Sequence, residues 1–375
     1  MDRALIRRLL EDDPIACAEQ ARLLYVDPDE PGYSRRPRGR GFSYFDPSGQ
    51  LVRHGARRSR FASLAIPPAW TEVWICSSPR GHIQATGRDD AGRKQYIYHP
   101  EWRRVRDERK YDRVLAFGRL LPIIRRKVHE DLSSSDELSR SRVLASVVRL
   151  LETTLIRVGN DEYAKHNESY GLTTLRKKHV RCEEGEAPVV FEFPGKTGKE
   201  WRVGVEEDEV ASVILECLET PGYELFKYFD ASGQKRDVTS DDVNRYLQEL
   251  ASAHVTAKDF RTFAGTVLAA VAIEELERER PELEPDKRTL RAVERVANAL
   301  GNTPAICRSC YIHPEVLSPS DDDVRTLAAA LRNRKAPTVR EALGRLSPAE
   351  EIVLRHLERS FRRRREDAGP LSLAS

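Results

Sequence analysis

The sequence has no apolar run that approaches the ~20 residues a membrane-spanning helix needs. Cysteine is scarce and unevenly spaced, with six residues in 375, which excludes a disulfide framework. The first eight residues carry charges where a secretion signal requires an apolar stretch. These absences predict a cytoplasmic protein without a membrane partner.

Patterns that bind nucleotides or metals are also missing. Residues 195–197 read Gly-Lys-Thr, but a phosphate-binding loop needs another glycine five residues earlier, where Val190 stands. Cys307 and Cys310 form a single Cys-x-x-Cys pair, with no second pair and no histidine at zinc-finger spacing. We therefore predict no nucleotide or metal cofactor, and we interpret the two cysteines as ordinary helix residues.

Charge is present in abundance but is unevenly distributed. The formal net charge is only +3, yet residues 31–130 hold 22 Lys/Arg against 9 Asp/Glu, a local charge of +13. The remainder of the chain therefore carries −10. This asymmetry predicts one face that binds a polyanion.

The chain is long enough for two domains, and its apolar spacing changes part-way along. Before residue 102, alternating segments between Gly, Asp and Pro turns predict strands at 41–45, 51–52, 73–76 and 95–98. From Trp102 the spacing becomes helical and predicts helices at 102–129, 137–157, 207–219, 239–252, 259–279, 286–300, 321–333 and 347–364. One β-hairpin interrupts them, with strands Val189–Phe193 and Trp201–Val205.

We therefore predict an α+β fold, in which a small β-rich domain precedes a larger, mainly helical domain that contains a β-hairpin. The predicted divisions are an acidic extension (1–30), the β-rich domain (31–101), the helical domain (102–346), and a C-terminal helix and tail (347–375). The acidic extension and the basic run Arg362–Arg365 are interpreted as solvated surface.

Several polar motifs could bind an anion, but none of them is specific when taken alone. Arg157, near the end of an apolar helix, could meet the helix dipole or hold an anion. The stretch 171–180 is basic and rich in threonine, which suits phosphate oxygens. Arg261 begins an Ala-rich helix, and Gly301 separates one helix from a short helix that leads to Tyr311.

The order of these motifs resembles one family. Arg157, Lys196 in a hairpin, Arg261 within 258–262, Asn302 within 300–306 and Tyr311 nine residues later are similar to a type IB DNA topoisomerase of the short poxvirus and bacterial kind. The segments 95–100, 111–118 and 171–180 also resemble that family. The similarity covers about residues 31–345, which includes both predicted domains.

The resemblance implies relaxation of supercoiled double-stranded DNA through a 3′-phosphotyrosyl intermediate, without ATP or metal, by a monomeric clamp associated with the nucleoid. It assigns Tyr311 as the nucleophile and Lys196 as the general acid, with Lys199 as a rival for the second role. Arg157 and Arg261 would stabilise charge on the phosphoryl oxygens. Asn302 stands where the family is best known for histidine, and its carboxamide could donate one neutral hydrogen bond to a phosphoryl oxygen.

The same resemblance implies DNA contacts by two segments. One is on the predicted strand 95–98, where Tyr96 and Tyr98 share a face and Gln95 lies on the other. The alternative is that both tyrosines pack the domain core. The second segment supplies Thr173, Thr174, Arg176, Lys177 and Lys178.

Two other functions remain open at this stage. A tyrosine recombinase shares the Arg–Lys–Arg–Tyr chemistry, but it usually has histidine three residues before the second arginine, where Lys258 stands. A non-catalytic DNA-binding protein could keep the same scaffold, although it would have no need of all four catalytic side chains.

Overall fold

The structure is a computed structural model that describes residues 2–11, 13–134, 138–161, 164–165, 168–182, 188–317, 322–333 and 345–367. The chain forms two compact units. The first comprises residues 12–111, and the second joins residues 1–11 to the chain from Asp112 to the C-terminal helix. This division differs from the predicted boundaries at 30, 101 and 346. Residues 13–30 group with the β-rich unit, which extends to residue 111, and the C-terminal helix groups with the helical unit.

The first unit is built on an antiparallel five-stranded sheet in the order β2-β1-β3-β4-β5. The predicted strands at 41–45, 73–76 and 95–98 are present, whereas residues 51–52 contribute only an isolated bridge between Leu51 and Phe45. Two strands were not predicted, at 33–38 and 83–88. The elements are β1 (Tyr33–Arg38), β2 (Gly41–Phe45), α3 (Gly55–Ser63), β3 (Thr71–Ile75), β4 (Ile83–Arg88) and β5 (Lys94–Tyr98).

Strand β1 lies within a run of arginines, so it lacks the alternation of apolar and polar residues by which a strand is predicted from sequence. Arg35 points inward and donates to the main-chain carbonyls of Ile66 (2.9 Å), Pro67 (2.9 Å) and Trp70 (2.7 Å). Arg36 and Arg38 alternate to the exposed face. Because these carbonyls satisfy the buried guanidinium, a charged residue can occupy an inward position.

A small helix covers one face of this sheet. Phe61 of α3 is almost fully buried, and its ring lies 5.0 Å from the rings of both Tyr33 and Tyr44. Ile75 and Ala85 complete this core. Burial of these apolar side chains fixes α3 on the sheet.

Residues 13–30 are part of the first unit and are not the predicted solvated segment. Helix α2 (Pro14–Gln20) buries Cys17 and Ala18 against Trp102 and Val105, which belong to the first turns of a long helix. An Asp13 side chain caps α2 at its N-terminus. The extension therefore adds a second apolar cluster to the unit.

The second unit is mainly helical, as predicted. Its helices are α1 (Arg3–Leu10), α4 (Pro100–Leu132, which begins in the first unit), α5 (Arg140–Thr154), α6 (Asp208–Glu219), α7 (Ser240–Ala251), α8 (Ala257–Glu279), α9 (Pro285–Leu300), α10 (Pro304–Cys310), α11 (Asp322–Arg332) and α12 (Pro348–Asp367). No helix in the described ranges has the length and apolar character to cross a membrane.

Two small sheets accompany these helices. One has the order β6-β7-β8, formed by β6 (Val180–Cys182) and the predicted hairpin β7 (Val189–Pro194) and β8 (Glu200–Val205). The other pairs β9 (Lys227–Phe229) with β10 (Lys235–Asp237). Helix α8 is largely buried along its length and lies at the centre of the unit's core, in contact with α9, α11 and α12.

The first and the last described helix both pack on this core, which corrects the interpretation of residues 1–30 as solvated surface. Ile6 and Leu10 of α1 are buried, as are Val353, Leu354 and Leu357 of α12. The arginines at 362–364 do remain exposed. The apolar faces of the terminal helices therefore stabilise the helical unit, while their charged faces meet solvent.

Candidate active site

Arg157 lies in a loop, not at the end of a helix as predicted. Helix α5 stops at Thr154 because Leu155 adopts a left-handed conformation with φ of 56°. The following loop is held by residues 171–174, where the N–H of Leu172 donates to the Arg157 carbonyl (2.9 Å). A side chain on Gly171 would begin 2.6 Å from that carbonyl, so only glycine permits this approach.

The guanidinium of Arg157 is fixed at the corner between α9 and α10. It donates to the Gly301 carbonyl (3.0 Å) and to the side-chain oxygen of Asn302. Gly301 ends α9 with φ of 58°, and Thr303 caps α10, as the sequence predicts. Asn302 is thus an acceptor for Arg157, a contact that the sequence did not suggest.

Arg261 is buried in the first turns of α8. It donates to the carbonyls of Leu300 (2.7 Å) and Leu155, so it joins the end of α9 to the loop after α5. Burial and the neighbouring Arg157 lower the pKa of Arg261. Its Nε is buried and has no hydrogen-bond partner among the described residues.

The start of α8 is itself held by an ion pair. Asp259 accepts from the N–H of Thr256 (2.8 Å) and from Arg113 of α4 (2.7 Å). Arg113 also donates to the Leu10 carbonyl at the end of α1 (2.6 Å). This network fixes the turn of α8 that carries Arg261.

The two guanidinium groups form a cationic pair without a described counter-charge. Burial lowers the pKa of Arg157, and the proximity of the two groups lowers that of Arg261 further. Among the described residues, no carboxylate forms an ion pair with either group. Neighbouring charges of one sign that are buried or partly buried are unfavourable unless an opposite charge compensates them, so the pair favours an anionic ligand.

Tyr311 follows α10 directly and faces the same two arginines. The Cζ of Arg261 lies 5.3 Å from the centre of its ring. Its backbone is held against α8, where a side chain on Gly265 would begin 2.7 Å from the Tyr311 carbonyl. The next turn is fixed by Thr266, whose hydroxyl accepts from the N–H of His313 (3.1 Å). The close packing of α8 therefore sets the position of the phenol.

Lys196 completes the group at the turn between β7 and β8. It lines a cavity of about 260 Å³ together with Arg157, Arg261 and Tyr311. Its rival Lys199 is not among the residues that line this cavity. Lys199 instead donates to the Asn298 carbonyl (2.8 Å) and lies over the Trp201 ring. The cavity thus gathers four of the five predicted catalytic side chains, and Asn302 contacts Arg157 beside them.

Several residues at this site are not predicted by the sequence pattern. Lys258 and Tyr170 also line the cavity. Trp201 packs between two glycines, because side chains on Gly195 and on Gly301 would each begin 2.5 Å from its ring. The two glycines are the sequence signals for this contact, but local patterning interprets Gly195 as part of a turn and Gly301 as the end of a helix.

Comparison with known proteins assigns the family. Residues 99–337 match the family model "Eukaryotic DNA topoisomerase I, catalytic core", and residues 41–89 match "Bacterial DNA topoisomerase IB, N-terminal domain". The chain is 30% identical over 280 residues to the DNA topoisomerase 1B of Acanthamoeba polyphaga mimivirus, covering 72% of this chain and 81% of the relative. It is 25% identical over 242 residues to the DNA topoisomerase 1B of Vaccinia virus (strain Copenhagen), covering 63% and 72%.

The chain belongs to the type IB DNA topoisomerase family. The predicted fold, a β-rich N-terminal unit and a mainly helical catalytic unit, is the fold of that family. The protein is accordingly a type I topoisomerase, and membership of the family implies that it binds duplex DNA.

In this topoisomerase, the predicted contacts along 173–178 fall into two groups. Thr173 and Thr174 are buried, and the Thr174 hydroxyl accepts from the N–H of Gly171 (2.9 Å), so these two side chains support the Arg157 loop. Lys178 is exposed. Arg176 lies over the Tyr170 ring, and Lys177 donates to the Leu218 carbonyl. A direct DNA contact therefore stays a prediction for the three cations, whereas burial argues against one for the two threonines.

In the N-terminal unit, β5 arranges its side chains as predicted. Tyr96 and Tyr98 share one face, with stacked rings 5.8 Å apart. Tyr98 packs against Trp102, which fits the alternative prediction that the tyrosines belong to the core of the domain. Tyr96, in contrast, is exposed. Gln95 donates to Asp89 (2.9 Å). A DNA contact therefore stays a prediction for Tyr96 and Gln95.

Proposed function

We propose that this topoisomerase relaxes supercoiled duplex DNA by cleaving one strand through Tyr311, allowing rotation, and resealing the strand. The observation that carries the proposal is the pairing of Arg157 and Arg261 beside Tyr311 and Lys196 on one cavity. Two neighbouring cations, Arg261 buried and Arg157 partly buried, have no carboxylate partner among the described residues. Such a pair suits a phosphodiester, which is the anion that a tyrosine would attack.

In the proposed cleavage step, the Tyr311 oxygen forms a bond to phosphorus and the bond from phosphorus to the 5′-oxygen breaks. The phenolic proton is released to water, and Lys196 donates a proton to the departing 5′-oxygen. The product is a 3′-phosphotyrosyl linkage and a free 5′-hydroxyl. Resealing is the reverse, with Lys196 accepting the proton from the attacking hydroxyl.

The arginines would act on the non-bridging oxygens. Planar guanidinium groups can donate two parallel hydrogen bonds to a phosphoryl group, which an ammonium group cannot match in geometry. Both groups are already held by main-chain carbonyls, so little reorganisation is needed when charge develops on phosphorus. The buried, unpartnered Nε of Arg261 has a donor to offer in the same region.

The proposal includes independence from ATP and metal ions. The phosphotyrosyl bond retains the energy of the broken phosphodiester, so resealing needs no nucleotide. The arginines and Lys196 would supply the charge stabilisation and the proton. Because all these groups belong to one chain, we also propose a monomeric enzyme. Because its proposed substrate is duplex DNA, we propose that it is located in the cytoplasm with the nucleoid.

Relaxation of a supercoiled plasmid, measured without ATP and with a chelator of divalent metals, tests the proposal. We expect a ladder of topoisomers that converges on the relaxed form. A tyrosine recombinase would instead need two copies of a specific site, and a non-catalytic protein would leave the plasmid supercoiled. Either of those results would refute the proposed function.

A further inference from the structure

Three lysines converge on the loop that follows α6, outside the active-site cavity. Lys177 donates to the Leu218 carbonyl (2.5 Å), and Lys235 donates to the Pro221 carbonyl (2.8 Å). Lys227 is buried and donates to the Glu224 carbonyl. We call Lys177, Lys227 and Lys235 the lysine cluster.

Gly222 packs closely against this cluster. A side chain on Gly222 would begin 2.7 Å from the Cε atom of Lys227, 3.4 Å from the Lys235 ammonium and 3.5 Å from that of Lys227. Two ammonium groups therefore lie near one backbone position, where a side chain would collide with Lys227. Gly222 also has φ of 127°, which favours glycine at this position.

The cluster has little compensating charge. Among the described residues, no carboxylate lies within ion-pair distance of any of the three ammonium groups, although Asp237 acts on Lys227 from farther away. Burial lowers the pKa of Lys227, and the charges of Lys177 and Lys235 lower it further. The carbonyls occupy only some of the available N–H groups, since each ammonium has three. A bound anion would relieve this repulsion.

An exposed aromatic side chain lies beside the cluster. Tyr223 is 88% exposed, and its carbonyl accepts from the N–H of Lys177 (3.2 Å). Such an exposed ring next to cations suits the sugars and bases of nucleic acid. The loop is well anchored, because the N–H of Leu225 donates to the Leu175 carbonyl (2.7 Å).

The cluster is also close to the active site along the chain. Tyr170 and Gly171 line the cavity, and Lys177 follows only six residues after Gly171. Since a chain advances at most about 3.6 Å per residue, Lys177 lies within roughly 22 Å of that wall of the cavity. A duplex carries a phosphate on each strand about every 3.4 Å along its axis, so DNA in the cavity has other phosphates within that reach.

We propose that the lysine cluster, with Tyr223, binds a backbone phosphate of the DNA duplex at a distance from the cleaved phosphodiester. Lys177 and Lys235 contact the phosphate from the surface, Lys227 adds charge from behind, and Tyr223 packs on the adjoining sugar or base. This inference rests on the proposed function, because it takes the duplex to lie across the cavity.

The test measures duplex binding at a series of salt concentrations. All proteins carry Tyr311→Phe, so that no covalent step disturbs the equilibrium, and a duplex of about 30 base pairs is the probe. Lys235→Gln removes one exposed charge, and Tyr223→Ala removes the exposed ring. Lys287→Gln is the matched control, because Lys287 is an exposed lysine on α9 of the same unit.

We expect Lys235→Gln to lower the slope of log K against log salt by about 0.9, the change for one lost phosphate contact. Tyr223→Ala should weaken binding about fivefold or more. Lys287→Gln should change neither quantity. An unchanged slope in Lys235→Gln, or an equal change in Lys287→Gln, would overturn the proposal.

Two further measurements separate this inference from neighbouring ideas. Inorganic phosphate should bind the parent only weakly; if Lys235→Gln weakens its binding but not that of DNA, the site serves a free anion and the DNA contact is wrong. With Tyr311 intact, Lys235→Gln should raise the duplex concentration needed for half-maximal single-turnover cleavage, whereas Lys287→Gln should leave both that concentration and the cleavage rate within about twofold of the parent. If plasmids are not relaxed by the parent, the proposed function fails, whereas an unchanged salt slope in an active enzyme removes the lysine cluster alone.

Discussion

The side-chain oxygen of Asn302 accepts a hydrogen bond from the guanidinium of Arg157. The same guanidinium donates to the Gly301 carbonyl, so the corner between α9 and α10 holds Arg157 through two adjacent residues. The amide nitrogen of Asn302 makes only a long contact with the Leu300 carbonyl (3.4 Å) and keeps donor capacity toward a phosphate. Asn302 can therefore act on the phosphate directly and also through Arg157.

Substitution of Asn302 separates these two roles. Asn302→Ala loses both and should slow single-turnover cleavage about ten- to a hundredfold, with little change in duplex binding. Asn302→Asp keeps the acceptor for Arg157, but it loses the donor and repels the phosphate, so it should be slower than Asn302→Ala. Asn302→His should retain much of the rate. The measurement is the cleavage rate on a suicide duplex at one salt concentration.

An alanine variant as fast as the parent would remove Asn302 from the site. A rate for Asn302→Asp near that of the parent would show instead that holding Arg157 is its whole contribution.

The general-acid role of Lys196 can be tested with an altered leaving group. Lys196→Ala should cleave an ordinary strand slowly and recover most of the rate when sulfur replaces the 5′-oxygen, because a thiolate leaves without a proton. Lys199→Ala is the matched control, since Lys199 is held by the Asn298 carbonyl outside the cavity lining. It should show no sulfur rescue. Equal defects of Lys196→Ala on the two substrates would refute the assignment.

Trp201 should position the hairpin turn that carries Lys196. It fills the space between Gly195 and Gly301, so Trp201→Ala should loosen the turn and slow cleavage by about ten- to a hundredfold. If it acts through Lys196, the 5′-sulfur substrate should recover much of that loss, and Trp201→Phe should keep most of the rate. An alanine variant equally slow on both substrates would show that Trp201 acts through another group.

Whether the sequence predicts a contact in this site depends on how far apart the two residues are along the chain. The caps at Gly301 and Thr303 and the hairpin around Lys196 depend on neighbouring residues, and each appears where it was expected. The prediction that Arg157, Arg261 and Tyr311 lie in one site depends on the resemblance of their order along the chain to that of the family. The contact of Trp201 with Gly301 and the carbonyl partners of the two arginines join residues 39 to 144 positions apart, and no local pattern encodes such pairings.

Two failures have a common physical cause. The hydrophobic pattern does not show strand β1, because one of its two buried residues is Arg35, whose charge is satisfied by three main-chain carbonyls. The end of α5 was placed three residues too late because Leu155 adopts a left-handed conformation that leucine rarely takes. In both cases tertiary contacts outweighed the local preference.

His179 predicts a dependence of stability on pH. Burial, with the charges of Lys178 and Arg176, lowers the pKa of His179 to about 4, and its neutral Nδ1 accepts from the N–H of Arg176 (3.0 Å). In the unfolded chain the pKa of a histidine is about 6.5, so as the pH falls the unfolded chain binds this proton at a higher pH than the folded chain does. This stabilisation is therefore present above about pH 6.5 and is lost as the pH falls toward 4.

Urea unfolding of the parent and of His179→Gln between pH 7 and pH 4 checks this expectation. The free energy of unfolding of the parent should fall more steeply with decreasing pH than that of the variant. Parallel curves would show that His179 does not titrate between the two states.

The most direct test of the account is the covalent complex itself. A suicide duplex is incubated with the parent, with Tyr311→Phe and with Tyr170→Phe, since Tyr170 is the other tyrosine among the described residues that line the cavity. Denaturing gels and peptide mass spectrometry then locate the attached nucleotide. We predict a 3′-linked nucleotide on the peptide that contains Tyr311 in the parent and in Tyr170→Phe, and duplex binding without any adduct in Tyr311→Phe. An adduct that forms in Tyr311→Phe would contradict the account, because the nucleophile would then be another residue.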